Sequence, residues 1–151
     1  MSSLKDIVRL LEKATIAGGV SDQVIHAAEE RLGVRFPPSY RQFLSRYGAL
    51  FTEGSELSGL FEYICEEEPP LWSDVVTETL QMRQGPGGRA FDEYVAISSD
   101  GMDYMFYLDT SRTNEKDECP VIVLGPGADG VDVAEDLFDF VRRSCEGTLA
   151  F

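Results

Sequence analysis

Apolar residues recur at helical spacing from the start of the chain. Leu4, Ile7, Val8, Leu11 and Ala14 form a stripe that predicts a helix over roughly residues 2–16, ended by Gly18-Gly19. Ser21-Asp22 is suited to cap a second helix, whose apolar line is Val24, Ile25, Ala28 and Leu32 and whose left-handed stop is Gly33. Pro37-Pro38-Ser39 then opens a third, because proline fits a first turn that needs no amide donor. In it Tyr40, Phe43, Leu44 and Tyr47 stand at i, i+3, i+4 and i+7, leaving Arg41, Gln42, Ser45 and Arg46 for water, and Gly48 closes it.

Beyond Leu50 the period shortens. Strand-like pieces such as 57–61 are separated by Gly54 and Gly59, and the acidic run Glu66, Glu67, Glu68 with Pro69-Pro70 breaks regular structure. A fourth helix is expected to begin near Ser73 or Asp74 on Val76 and Leu80, followed by a glycine-rich loop over 84–89. Segments 94–98, 104–108 and 120–124 are rich in β-branched and aromatic residues and are joined by an Asp100-Gly101 turn and a polar loop over 110–118. They predict a meander of antiparallel neighbours. A last helix is expected over about 133–143, with Ala134, Leu137, Phe138 and Val141 inward and Arg142-Arg143 at the favourable C-terminal end of the dipole. The expected architecture is α+β: one domain over 1–151, a mixed or antiparallel β-meander flanked by four to five helices. Neither a repeat nor a long linker divides it.

Size permits a true core, since a chain of 151 residues buries roughly 68–70% of its unfolded surface on folding. Three cysteines, Cys65, Cys119 and Cys145, are far apart and cannot all pair, which suits a reducing compartment. No apolar run reaches the length of a membrane span or a signal core, so a soluble cytoplasmic protein is expected. The formal charge of −14 is segregated: residues 1–50 carry a net +2 and residues 51–151 a net −16. Such acidity repels phosphate backbones and anionic lipid, arguing against direct nucleic-acid or membrane partners, and it attracts a basic protein; solubility alone is the competing explanation.

Motifs of chemistry are few. Residues 125–130 spell G-x-G-x-x-G, but Asp129 and Asp132 would meet a pyrophosphate with like charge and Pro126 lacks a donor, so a glycine-rich strand-to-helix connection is expected instead. Asp100-Gly101-Met102-Asp103 and Asp129-Gly130-Val131-Asp132 lack the alternate ligands and final Glu of a calcium loop, and they read as turns. His26, the only histidine, has no nucleophile turn or metal-ligand partner near it in sequence. No cofactor, metal or catalytic residue is therefore expected. Trp72 reads either as an interface anchor or as core.

The block Glu29, Leu32, Phe36-Pro37, Tyr40, Phe43-Leu44 and Gly48 resembles the SUKH superfamily, which includes the yeast cell-wall assembly regulator domain and many bacterial immunity proteins. The likeness continues through 57–60, 95–101, 104–109, 120–124 and 137–141. It departs where Tyr47-Gly48 replaces a frequent Asn-Gly and where Gly101-Met102-Asp103 spaces out a Gly-Asp. The resemblance implies a non-catalytic binding protein, most often one that neutralises a polymorphic secreted toxin such as a nuclease or nucleic-acid deaminase. It also implies that Glu29, Leu32, Phe36, Pro37, Tyr40, Phe43, Leu44 and Gly48 build the fold. The partner-binding residues expected from loop position and charge are Glu66, Glu67, Glu68, Asp100, Asp103, Glu115, Asp117 and Glu118, with Trp72 and Tyr104 as aromatic anchors. An intracellular regulatory or scaffolding module is the alternative. Self-association is not legible in the chain, and a monomer is the starting assumption.

Overall fold

A computed structural model describes residues 4–9, 11–52, 55–61, 74–84 and 92–149. Among these, five helices and seven strands follow in the order α1 (Leu4–Val8), β1 (Thr15–Ile16), α2 (Asp22–Leu32), α3 (Pro38–Arg46), β2 (Leu50–Thr52), β3 (Ser55–Leu57), α4 (Val75–Gln84), β4 (Tyr94–Ser99), β5 (Met105–Asp109), β6 (Val121–Gly125), β7 (Ala128–Ala134) and α5 (Leu137–Glu146). The protein is α+β, with two antiparallel sheets ordered β1-β2-β3 and β4-β5-β6-β7.

The α2–α3 hairpin follows the sequence pattern closely. The Ser21 hydroxyl accepts from the Val24 amide at 3.4 Å, and Gly33 ends α2 at φ 67°, a conformation that costs glycine no Cβ clash. Along α3 the stripe Tyr40, Phe43, Leu44 and Tyr47 is buried. Phe36 meets Tyr40 edge-on at 5.0 Å between centroids, and Phe43 stacks on Tyr40 at 5.8 Å. Each such ring contributes about 1.5–3 kcal/mol by leaving water.

Three expectations need correction. The first helix does not run over 2–16: α1 ends at Val8, residues 11–13 form a turn, and Thr15-Ile16 becomes an edge strand paired with Leu50-Phe51. Two β-branched residues at the end of a weak helical stripe are taken up by an available strand, a tertiary override of helix propensity. The strand-like piece expected over 57–61 is not a strand beyond Leu57: β3 ends there, Gly59 makes only an isolated bridge to Asp74, and the pairing falls earlier, between β2 and β3 at Leu50↔Leu57, Phe51↔Glu56 and Thr52↔Ser55. The glycine-rich run over 125–130 is not a strand-to-helix connection but the β6–β7 hairpin, turning at Pro126-Gly127 with Gly127 at φ 73°. β7 absorbs one extra residue at each of two register shifts, one of them beside Gly130 at φ 76°. The final helix therefore starts at Leu137, where the Asp136 carboxylate accepts from the Asp139 amide at 2.8 Å.

The four-stranded sheet is apolar on both faces. Val95, Ile97, Phe106, Leu108, Val121, Val123 and Val133 face the main core with α3 and α5, where Phe106 meets Phe140 at 5.1 Å. Ala96, Tyr107 and Ile122 form a second cluster with Met82 of α4. Two bonds stitch the small sheet to the large one at β4: the Ser58 amide donates to the Ile97 carbonyl at 2.8 Å, and the Ser98 hydroxyl donates to the Glu56 carbonyl at 2.5 Å. At this junction Gly59 is obligatory, because a Cβ there would collide with the Gly48 carbonyl oxygen.

Candidate functional site

Alternation along the meander places its turns at two ends. At one end lies the β4–β5 turn, residues 100–104, beside the β6–β7 turn. The Asp100 carboxylate accepts from the amides of Met102 at 2.8 Å and Tyr104 at 3.2 Å, and Gly101 turns the chain at φ 80°. The Tyr104 hydroxyl donates to the Pro126 carbonyl at 2.8 Å while its ring covers Gly125. Tyr104 thereby ties the two turns together. Asp103 is exposed, and so is Met102, at 84%.

Glu115, Asp117 and Glu118 lie at the far end of the meander, on the order of 14 Å away for a five-residue strand. Glu115 and Asp117 are exposed, and Asp117 has φ 62°, a left-handed conformation that Asp tolerates better than most residues. Glu118 turns inward. It accepts from the Ser39 amide at 3.0 Å and from the Ser39 hydroxyl, so it caps α3, whose own N-cap residue Pro37 supplies no side-chain bond. Burial pushes its carboxyl up, an effect that the Ser39 bonds partly offset. Glu66, Glu67, Glu68 and Trp72 lie outside the described residues.

The helical block is held by charge that spacing did not assign. Glu29 is buried, and one of its carboxylate oxygens accepts from both the Phe36 amide and the Arg41 guanidinium at 2.7 Å, pinning the α2–α3 turn. His26 is 71% exposed on α2, with Nε2 3.2 Å from Glu30. Cys65 lies outside the described residues, and the two described thiols are both disfavoured as thiolates. Burial, then the carboxylates of Glu118, Asp109 and Asp117, push the Cys119 thiol up to about 12, and burial raises Cys145 as well. Among the described residues no group of three His, Cys, Asp or Glu is placed to hold a metal, and no helix is long and apolar enough to cross a membrane.

The β4–β5 end also gathers residues that sequence spacing did not associate. A cavity of about 200 Å³ is lined by Glu56 and Ser58 from β3 and its continuation, Glu78 from α4, Ser98 and Ser99 from β4 and Met105 from β5. Glu78 stands one turn into α4, after Asp74, whose carboxylate caps the helix through the amides of Val76 at 2.8 Å and Thr77 at 3.0 Å. Burial raises the Glu78 carboxyl above the ordinary range, with Glu56 and Asp74 adding repulsion. Glu56 and Glu78 are 22 positions apart on different elements, and a tertiary contact joins their segments: the Val75 amide at the start of α4 donates to the carbonyl of Gly59, just after β3, at 2.9 Å. Met102 offered the one local clue, an apolar residue inside an otherwise polar turn.

A groove of about 550 Å³ runs on the other side of the helical block, lined by His26, Glu29, Glu30, Gly33, Val34, Arg35 and Arg41. Its charges alternate in sign, so it presents no single field to a partner. A family model described as the SMI1 / KNR4 family (SUKH-1) matches residues 19–143, which span α2 through most of α5. Comparison with curated proteins finds no match. With the buried α2–α3 block and the meander both inside the matched span, the chain belongs to the SMI1 / KNR4 family (SUKH-1).

Proposed function

We propose that this chain is an immunity protein: it binds a cognate secreted toxin and neutralises it by docking, without transforming any molecule itself. Family membership over residues 19–143 is the observation that carries this reading. The charge distribution refines it. A toxin that acts on nucleic acid, a nuclease or a deaminase, needs a cationic cleft for a polyanion. The net −16 of residues 51–151 offers that cleft a competing anion and speeds encounter at low salt. Asp100, Asp103, Glu56 and Glu78 at the β4–β5 end supply a compact acidic face, with Met102 as an apolar contact at its tip.

Co-expression tests the proposal. A toxin encoded next to this chain should arrest growth alone and lose that effect when the chain is present, and the pair should elute as a 1:1 complex. Rescue that persists in variants unable to form the complex defeats the neutralisation reading and favours a regulatory role. For the acidic face, Asp100→Lys with Asp103→Lys should slow association and flatten its dependence on salt while the fold persists.

A further inference from the structure

The cavity at the sheet junction has two unmet polar demands from different elements. Glu78 is half-buried on α4 and has no counter-ion among the described residues. Its charged form is disfavoured by burial and by two neighbouring carboxylates, which a cation would relieve. Ser58 is only 6% exposed. Its amide is spent on Ile97 and its carbonyl on Tyr40, but its hydroxyl has no partner among the described residues. That hydroxyl lines the cavity, where its oxygen can accept a hydrogen bond from a ligand donor.

The remaining lining defines the chemistry of the occupant. Ser98 is committed to Glu56 through its hydroxyl, and Ser99 accepts the Gly101 amide, so both hold the wall in place. Met105 supplies an apolar side against which an aliphatic stem can lie. The volume, about 200 Å³, holds roughly six waters at about 30 Å³ each, room for the head and outer stem of one long side chain. A carboxylate beside a hydroxyl acceptor and a thioether wall fits a guanidinium or ammonium, and it repels an anion.

We propose that this cavity receives one arginine or lysine side chain of the protein partner, held by Glu78 and Ser58, while Met102 on the adjoining turn packs against the partner outside it. The assignment rests on the toxin-binding reading and gives it an anchor point. Long-range attraction then comes from the whole acidic surface, whereas the bound lifetime depends on this one side chain.

The test uses N-acetyl-L-arginine amide titrated into the isotope-labelled chain, followed by amide NMR. Saturable shifts are expected at Ser58, Glu78 and Ser99, with affinity about tenfold weaker in Glu78→Gln, a few-fold weaker in Ser58→Ala and unchanged in Glu135→Gln. Thermal melts confirm that each variant is folded. Absence of shifts at those three amides, or equal shifts in Glu78→Gln, overturns the assignment. With a toxin in hand, Glu78→Gln should also shorten the lifetime of the complex about tenfold. A complex indifferent to Glu78→Gln sinks the anchor and leaves toxin binding standing. Arginine bound in the cavity while no toxin is neutralised defeats toxin binding and keeps the cation site.

Discussion

The Tyr40 hydroxyl donates to the Ser58 carbonyl across 2.7 Å in the fully buried centre of the protein. One bond thus joins the aromatic stripe of α3 to the residue that walls the acidic cavity. Burial, then the charge of Asp74, holds the Tyr40 phenol well above its usual range, so it donates at every physiological pH. Family helix and candidate site are mechanically one unit.

Tyr40→Phe keeps the ring and removes the donor, leaving the Ser58 carbonyl unpaired in an apolar setting. The expected loss is about 1–3 kcal/mol. Tyr40→Ala also opens a cavity and should cost about 3–5 kcal/mol. Urea unfolding should show lower midpoints with unchanged slopes for both. A Tyr40→Phe midpoint equal to that of the parent would mean that the bond contributes nothing net.

Glu29 is the second structural test. Glu29→Ala strands the Phe36 amide and releases Arg41, at an expected cost of about 2–3 kcal/mol. Glu29→Gln still presents an oxygen to both donors, and only its charge is lost, so about 1 kcal/mol is expected. Equal damage from the two would show that the negative charge, rather than the accepting oxygen, holds the α2–α3 turn.

Acid stability should depend on Asp139. Burial by itself would raise its carboxyl, but the Glu135 amide at 3.0 Å, Arg142 at 2.7 Å and Arg143 at 3.0 Å prevail and hold it below the ordinary value. A depressed folded value means stability that is present above the unfolded pKa, near 4, and is lost as pH falls through the folded one. Asp139→Asn should melt roughly 4 °C or more below the parent at pH 7, and the gap should narrow towards pH 2. A constant gap across that range contradicts the assignment.

Glu78 has the opposite sign. Its folded value is raised, so its ionised form weakens the fold at pH 7, and that penalty fades as pH falls to the unfolded value near 4. Glu78→Gln should therefore melt higher than the parent at pH 7 and no higher at pH 4. A stabilising change that also weakens partner binding is the signature of a group kept for function. A lower melting point at pH 7 would show that Glu78 is paired in the folded protein.

Asp100→Ala probes the turn itself. Two amides lose their acceptor, and the Met102 tip loosens, with about 1 kcal/mol of stability lost. Hydrogen exchange should rise over 101–104 and stay unchanged in β6. Protection that falls throughout the sheet would give Asp100 a wider structural role.

The order of residues alone determined the α2–α3 hairpin, the start of α4 and three strands of the meander. In each case local periodicity, a capping side chain or a glycine stop agrees with the tertiary fold, as with Ser21, Gly33 and the Tyr40–Tyr47 stripe. Family resemblance was legible in the same block, because its residues are close in sequence and mainly structural. Acidity was legible too, although not its arrangement. Tertiary structure alone decided that Thr15-Ile16 would leave a helix for an edge strand, that 128–134 would pair with β6, and that Glu118 would be spent on capping α3. It also decided that Glu56, Ser58 and Glu78 would share a cavity. Those outcomes depend on hydrogen bonds and charge contacts between segments far apart in the chain, which no local spacing encodes.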